Sequence, residues 1–249
     1  MADEQSVIEV LQALDQVLAR LEPVAVEREA AAAWRARLEA GQPALNEAEF
    51  PLTEAALFLA EIIRLRTGQQ LAKTAARRLV EHYLADDSAG TLWQHYAIAT
   101  QLGEAWAHLA CQTALARSAA AVALAIPLDD WQRRECPVCG TIPSFASIEG
   151  SEGQRKLVCG SCLTHWRYKR IGCAFCGEEQ PHRLKVLTAE EFPGWYAAVC
   201  LTCQGYIKTA DLRQMAVRPR WQQAALTTLP LDYAAVNWLE NFRLEQTVR

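Results

Sequence analysis

The sequence has no long apolar run. Its longest uninterrupted apolar stretch, residues 119–126, spans eight residues, whereas a helix that crosses a bilayer needs about 18 or more. The amino terminus is acidic rather than basic, and no apolar segment typical of an export signal follows it. We therefore expect no membrane span and a cytoplasmic location.

Motifs of the common catalytic sites are missing as well. The chain has no glycine-rich phosphate loop, no nucleophile elbow and no pair of histidines spaced for a catalytic metal on one helix. We therefore expect a protein that is not an enzyme and has no catalytic residues.

Cysteine, by contrast, is plentiful, with nine in the chain. Without an export signal, cytosolic thiol systems would keep these residues reduced, so metal or redox chemistry is a better interpretation than a disulfide framework. Cys111 stands alone in an alanine-rich helical stretch and is predicted to be a small core residue. The other eight form four Cys-x-x-Cys pairs: Cys136/Cys139, Cys159/Cys162, Cys173/Cys176 and Cys200/Cys203.

The spacing of these pairs predicts two four-cysteine metal sites. Nineteen residues separate the first pair from the second, and 23 separate the third from the fourth. A tight turn with two thiolates supplies half of a tetrahedral site, and a connection of this length can return with the other half. Pairs one and two are predicted to form the first quartet, and pairs three and four the second quartet, because the ten residues between Cys162 and Cys173 are typical of a linker. Interleaved pairing of the four turns is the alternative. Gly140 and Gly177 directly follow their pairs, where such a turn favours positive φ.

The residues alone leave the metal open, because tetrahedral thiolate coordination suits zinc and a single iron ion equally. A closed site of four thiolates has no open coordination position and typically holds a small fold together. A redox dithiol is a weaker interpretation, since it would favour one pair at a strand-to-helix junction. His165 and His182 are interpreted as packing or surface residues, because eight thiolates already complete two sites.

The pattern of elements predicts an α+β protein. Helical periodicity begins with a capping box at Ser6–Glu9 and continues through residues 30–38, 53–66, 70–84 and 91–126. Short apolar runs between turns predict strands at residues 156–158, 166–168, 184–187, 196–199 and 206–208. A last helix is predicted over residues 234–244.

These elements suggest four domains. They are a mostly helical domain (1–128), a first four-cysteine ribbon (129–172), a second ribbon (173–212) and a C-terminal helical segment (213–249) that packs on the helical domain.

Ribbon modules often bind nucleic acid, and the charge distribution tests that alternative. Residues 131–220 contain 13 Lys and Arg against 8 Asp and Glu, and residues 1–130 contain 10 against 18. Two four-thiolate sites, each with a divalent ion, carry about −2 each and nearly cancel the basic surplus. This charge distribution does not favour contacts with the phosphate groups of a nucleic acid. The cluster Arg167, Lys169 and Arg170 is therefore interpreted as solvated or partner-facing.

Taken in order, these motifs resemble the formate dehydrogenase accessory protein family. Generic ribbons do not share Trp166 together with Tyr206-Ile207-Lys208. The full resemblance rests on Cys136-Pro137-Val138-Cys139-Gly140-Thr141-Ile142-Pro143, Arg155-Lys156-Leu157-Val158-Cys159-Gly160-Ser161-Cys162, Arg170-Ile171-Gly172-Cys173-Ala174-Phe175-Cys176-Gly177 and Cys200-Leu201-Thr202-Cys203-Gln204-Gly205-Tyr206-Ile207-Lys208.

The resemblance implies two rubredoxin-like metal modules, with iron as the family's metal. It also implies a cytoplasmic, chaperone-like protein that binds the catalytic subunit of a respiratory formate dehydrogenase during maturation. Two alternatives stay open: a zinc-ribbon protein that binds nucleic acid, and a rubredoxin-like electron-transfer protein.

Overall fold

The structure, a computed structural model, describes Gln12, residues 24–85 and residues 100–247 of the 249-residue chain. The chain divides into two compact units, Met1–Ile126 and Pro127–Arg249, which we call the helical unit and the metal-site unit. The capping box predicted at Ser6–Glu9 lies outside the described residues. None of the described helices is both long and apolar enough to cross a membrane.

The described part of the helical unit contains four α-helices. They are α1 Arg28–Glu39, α2 Leu52–Thr67, α3 Lys73–Leu84 and α4 Thr100–Ala125. Three predicted helices are confirmed to within a few residues, and the fourth is confirmed from Thr100 onward, because residues 86–99 lie outside the described part. α2 ends at Gly68, whose φ of +70° is a conformation that favours glycine and stops a helix.

The core of the helical unit lies between α2, α3 and α4. Buried Leu59, Ile62 and Ile63 of α2 belong to the same cluster as Ala107 and Ala110 of α4. The small alanine side chains let the two helix backbones approach closely. The predicted apolar stripes of these helices therefore form core.

Six strands of the described residues form one sheet in the metal-site unit. In chain order they are β1 Pro143–Glu149, β2 Gln154–Cys159, β3 His165–Arg167, β4 Leu184–Thr188, β5 Trp195–Cys200 and β6 Tyr206–Asp211. Their order in the sheet is β3-β2-β1-β6-β5-β4. Each half is a three-stranded antiparallel ribbon, and the halves join where β1 pairs with β6 in parallel. The predicted α+β class with two tandem ribbons is confirmed, and the ribbons share one continuous sheet.

β1 is a central strand that was not predicted from the sequence. Proline and serine at its start, Pro143 and Ser144, have low strand propensity, and the register with β2 shifts between Pro143 and Phe145. Beyond this shift, β1 pairs with β2 on one side and with β6 on the other. Hydrogen bonding to two neighbours therefore overrides the weak local preference.

The C-terminal helices, α5 Trp221–Thr227 and α6 Leu229–Thr247, cover one face of this sheet. Ala235 and Leu239 of α6 pack with Val199 of β5. Apolar side chains of this segment thus meet the sheet, and its packing on the helical domain stays a prediction. An apolar sheet face must be covered, and the adjacent C-terminal helices do so. Pro230 lies in the first turn of α6, where a missing N–H costs no helix hydrogen bond.

Candidate metal centres

Four turns, which we call knuckles 1 to 4, carry the eight predicted metal ligands. Knuckle 1 (136–139) precedes β1, and knuckle 2 (159–162) follows β2. Knuckle 3 (173–176) precedes β4, and knuckle 4 (200–203) joins β5 to β6. Both ribbons therefore repeat the same order of turns and strands, which brings the two knuckles of each ribbon together.

The structure groups the cysteines into the two quartets that their spacing predicts. Within each quartet the four Sγ atoms lie within 4.8 Å of one another, and all eight thiols are free. The shortest separations in the first quartet are 3.5 Å for Cys136–Cys162 and 3.4 Å for Cys139–Cys159. Those in the second quartet are 3.6 Å for Cys173–Cys203 and 3.7 Å for Cys176–Cys200.

These separations fit a tetrahedral metal ion. Metal–sulfur bonds of about 2.3 Å place the sulfurs of a regular tetrahedron about 3.8 Å apart. The knuckles are also folded alike, since Cys136 N donates to Thr141 O at 2.8 Å and Cys173 N donates to Glu178 O at 2.7 Å. The glycines after knuckles 1 and 3 have φ of +76° and +79°. Each quartet could hold one ion with all four positions filled by protein.

The close packing of four thiols makes their protonation unequal. In the first quartet, burial raises the pKa of Cys136, whereas hydrogen bonds from neighbouring thiols, that of Cys136 first, lower the pKa of Cys159. In the second quartet, burial raises the pKa of Cys173 and of Cys203. A divalent cation would stabilise all four thiolates together and release these protons, so the donor set favours a metal.

Backbone amides also point at the sulfurs. Val138 N lies 3.4 Å from the sulfur of Cys136, and Phe175 N lies 3.3 Å from the sulfur of Cys173. Ser161 N makes the corresponding contact at knuckle 2, 3.3 Å from a sulfur of the first quartet. Such N–H donors stabilise negative charge on sulfur and influence the reduction potential of a bound iron ion.

Side-chain hydroxyls distinguish the two quartets. Thr141 Oγ1 lies 3.0 Å and 3.2 Å from two sulfurs of the first quartet, and Thr164 Oγ1 lies 3.0 Å from a third. The corresponding positions after knuckles 3 and 4 are Glu178 and Gly205, which have no hydroxyl. Neither threonine was predicted from the sequence to belong to the site. Both threonines lie two residues after the second cysteine of a knuckle, and this shared position could have indicated a contact with sulfur.

Solvent exposure distinguishes the quartets a second time. Three cysteines of the first quartet are buried and Cys139 is partly exposed, whereas Cys176 and Cys203 of the second quartet are exposed. The first quartet is therefore shielded by protein, and the second is open to solvent on one side.

The remaining candidate residues have packing roles. Cys111 lies in the core of the helical unit, which confirms the prediction, and burial raises its pKa to about 12. His165 packs edge to face against Trp221 with ring centroids 5.3 Å apart, and burial lowers its pKa. Among the described residues neither belongs to a cluster that could hold a metal. His182 lies in the short helical turn before β4 and likewise belongs to no such cluster of the described chain.

The residues that carry the family resemblance outside the cysteines are structural anchors. Trp166 is fully buried and donates from Nε1 to Arg133 O at 2.9 Å, which fixes the chain just before knuckle 1. Lys208 Nζ contacts Asp232 Oδ2 at 2.6 Å, and Tyr206 donates to Asp232 Oδ1 at 2.9 Å. These bonds fasten α6 to the strand that follows knuckle 4. Asp232 was not predicted from the sequence, because its partners Tyr206 and Lys208 are more than 20 residues away along the chain.

Comparisons with known proteins agree on one family. The sequence profile "FdhE, central domain" matches residues 135–170. A protein FdhE homolog from Aquifex aeolicus is 39% identical over 87 residues, which cover 34% of this chain and 31% of that protein. The protein FdhE homolog from Stutzerimonas stutzeri is 36% identical over 118 residues, or 44% of this chain and 37% of that protein. Protein FdhE from Escherichia coli strain K12 is 36% identical over 80 residues, or 31% and 25%. The matched region thus spans between a quarter and two fifths of these relatives.

A solved structure extends the likeness in fold to most of the chain. The crystal structure of the FdhE protein from Pseudomonas aeruginosa matches with a TM-score of 0.63 at 23% identity, over 92% of this chain and 82% of that one. At this identity the match shows a shared fold. Together, the motifs and these matches confirm that the chain resembles the formate dehydrogenase accessory proteins of the FdhE type.

Proposed function

We propose that this protein is a cytoplasmic accessory factor that binds the catalytic subunit of a formate dehydrogenase during maturation and is not itself an enzyme. The observation that carries the proposal is the first sulfur quartet, because it lies within the residues matched by the FdhE central-domain profile and is complete without any further ligand. A closed four-thiolate site stabilises a fold and leaves no position for substrate.

We propose one metal ion per quartet. The first is held by Cys136, Cys139, Cys159 and Cys162, and the second by Cys173, Cys176, Cys200 and Cys203. Iron is the proposed metal because of the family resemblance, and zinc is the alternative. The bound ion cross-links the knuckles of each ribbon, while backbone amides and the Thr141 and Thr164 hydroxyls orient the sulfurs.

A pull-down tests the accessory role. The full chain, tagged and purified without oxygen, is incubated with a co-expressed formate dehydrogenase catalytic subunit. The catalytic subunit of an unrelated molybdenum enzyme serves as the matched control. Retention of the formate dehydrogenase subunit alone is expected. Equal retention of both subunits, or retention of neither, would overturn the proposal.

The contacts of the basic cluster weaken the nucleic-acid alternative. Lys169 pairs with Glu179, and Arg170 Nη1 donates to Glu152 O at 3.1 Å. Two of the three cations are therefore already engaged within the chain. Binding to a DNA duplex or single strand that weakens steeply with salt would revive this alternative, since phosphate contacts release counterions.

One observation favours electron transfer as a second candidate function. The sulfurs of Cys176 and Cys203 belong to exposed residues, so an electron donor could approach the second quartet. Voltammetry on the iron-loaded protein tests this candidate. A reversible wave that disappears in a Cys176→Ser variant would support it, and the absence of a reversible wave would remove it.

A further inference from the structure

A cleft of about 230 Å³ lies on the sheet face opposite the C-terminal helices. Its floor includes Ala198, Ile207 and Thr209, which alternate along their strands with residues that face α6. One wall is the segment 170–175, which leads into knuckle 3. Ligand pockets for drug-sized molecules are typically about 300 Å³ or larger. The cleft is therefore sized for one or two side chains.

The lining of the cleft is basic and apolar. Arg155, Arg170 and Lys185 line it, and the described lining contains no Asp or Glu. Cys173 and Cys200 of the second quartet also line it. A quartet with a divalent ion carries about −2 by simple addition, so the three cations leave an excess of about one positive charge. The cleft therefore favours a singly charged anion.

Arg155 is a buried cation that forms no ion pair with an Asp or Glu of the described residues. The residue is buried, with an exposed fraction of 6%. Its guanidinium donates through Nη1 to Gly172 O at 2.6 Å and, more weakly, to Lys169 O at 3.5 Å. It also lies over the ring of Tyr168. A buried charge is costly unless it is paired, so an incoming anion would stabilise Arg155 more than its carbonyl and ring contacts do.

A second polar group and the apolar mouth define the ligand further. The hydroxyl of Thr209 is buried and makes no hydrogen bond of ordinary geometry among the described residues, although the phenol of Tyr196 on the paired strand interacts with it. At the mouth, Ile171 and Val186 are 54% and 62% exposed. An anion that sat in the cleft alone would leave both apolar side chains in water. A ligand that continues past the mouth with an apolar group would cover them.

We propose that this cleft binds a peptide segment of a protein partner in which a carboxylate side chain lies next to an apolar one. The carboxylate pairs with Arg155, and Lys185 adds attraction at the rim. The neighbouring apolar side chain packs against Ile171 and Val186. This inference rests on the proposed protein-binding function and names the chemistry that the partner must present.

Fluorescence anisotropy with the full-length, metal-loaded protein tests the cleft. The probe is a fluorescein-labelled Gly/Ser dodecapeptide with a central Leu-Glu-Leu, and the matched peptide has Leu-Gln-Leu. Because a hydrogen bond to a charged group is strong, the Glu peptide should bind about tenfold more tightly, and Arg155→Met should remove that preference. Equal binding of both peptides would overturn the proposal.

Further variants guard against misfolding and general charge effects. If Arg155→Met fails to fold, Lys185→Gln is the deciding variant. Because Lys185 is exposed at the rim of the cleft, its substitution should weaken binding of the Glu peptide by about threefold. Arg218→Gln makes the same charge change at an exposed residue outside the cleft lining and should leave binding unchanged. Equal losses in Lys185→Gln and Arg218→Gln would mean unspecific attraction and would contradict the assignment.

A competition measurement distinguishes a peptide ligand from a free carboxylic acid. If 4-methylpentanoate displaces the probe as effectively as unlabelled peptide does, the cleft takes small acids and the peptide assignment is wrong. The pull-down distinguishes this failure from that of the accessory role. Retention of the formate dehydrogenase subunit without a preference for the Glu peptide leaves the function in place and overturns the cleft alone.

Discussion

Thr141 is expected to strengthen metal binding by the first quartet. Its hydroxyl reaches two sulfurs, so Thr141→Val removes two contacts to thiolate while keeping the shape of the side chain. Loss of such a neighbouring donor typically weakens metal binding by about tenfold or more. We expect release of metal from the first quartet to a chromogenic chelator to be faster by about that factor.

Thr202→Val is the matched control for this change. The Thr202 hydroxyl donates to Glu178 Oε2 at 2.7 Å, so its hydrogen bond goes to a carboxylate and not to a sulfur. Its loss should leave release from the first quartet unchanged. Similar release rates in the two variants would show that the Thr141 contacts are irrelevant to metal binding.

Asp232 is predicted to matter for stability because of Lys208. The Lys208 side chain is 7% exposed and that of Asp232 is 25% exposed. Asp232→Ala leaves the buried ammonium without its counter-ion, which should cost about 3 kcal/mol in the free energy of unfolding. Urea denaturation measures the change. Glu240→Ala, at an exposed carboxylate of the same helix, should change stability by less than about 0.5 kcal/mol. A loss for Asp232→Ala no larger than that of the control would contradict the role of the pair.

Residues with local partners could be predicted from the sequence, and those with distant partners could not. The eight cysteines form four short pairs, so spacing alone predicts the quartets that the structure brings together. Thr164 contacts a sulfur and Asp232 contacts Tyr206 and Lys208 only once the chain is folded. Arg155 likewise belongs to a cleft that exists only when knuckle 3 folds over the sheet.

At the scale of elements, the four knuckles share a fold but not an environment. Knuckles 1 and 2 have hydroxyl donors and little exposure, whereas knuckles 3 and 4 each carry one exposed cysteine. We therefore predict metal loss in two phases under excess chelator, with the second quartet about tenfold faster.

Two matched variants show which quartet gives each phase of metal loss. Cys176→Ser should abolish the fast phase and preserve the slow one. Cys139→Ser should do the reverse. A single phase in the wild-type protein, or loss of the slow phase in Cys176→Ser, would contradict the proposed difference between the quartets.

The helices and most strands followed from local pattern, whereas β1 did not. Helical periodicity and the glycine at position 68 predicted α2 to within one residue at each end. The five predicted strands have apolar or aromatic residues at strand spacing. β1 begins with Pro143 and Ser144, and only its pairing with β2 and β6 makes it a strand. Pairing between distant segments is the information that a local pattern lacks.

At the scale of the whole molecule, the two ribbons are coupled through one sheet. β1 and β6 pair from Phe145–Lys208 to Ile148–Asp211, and Arg134 donates to the Phe175 carbonyl in knuckle 3. Loss of metal from the second quartet should therefore loosen both ribbons. We predict that a Cys200→Ser/Cys203→Ser variant exchanges amide hydrogens faster in β1 and β2 as well as in β4–β6. Faster exchange confined to β4–β6 would show that the ribbons are independent.

A metal count on anaerobically purified protein tests directly whether the two sulfur quartets are metal sites. We predict two metal ions per chain by elemental analysis, with visible absorption if the metal is iron and none if it is zinc. Cys136→Ser and Cys200→Ser should each remove one ion and leave the other. Protein without stoichiometric metal, or with its eight paired thiols joined as disulfides, would contradict the two sulfur quartets as metal sites.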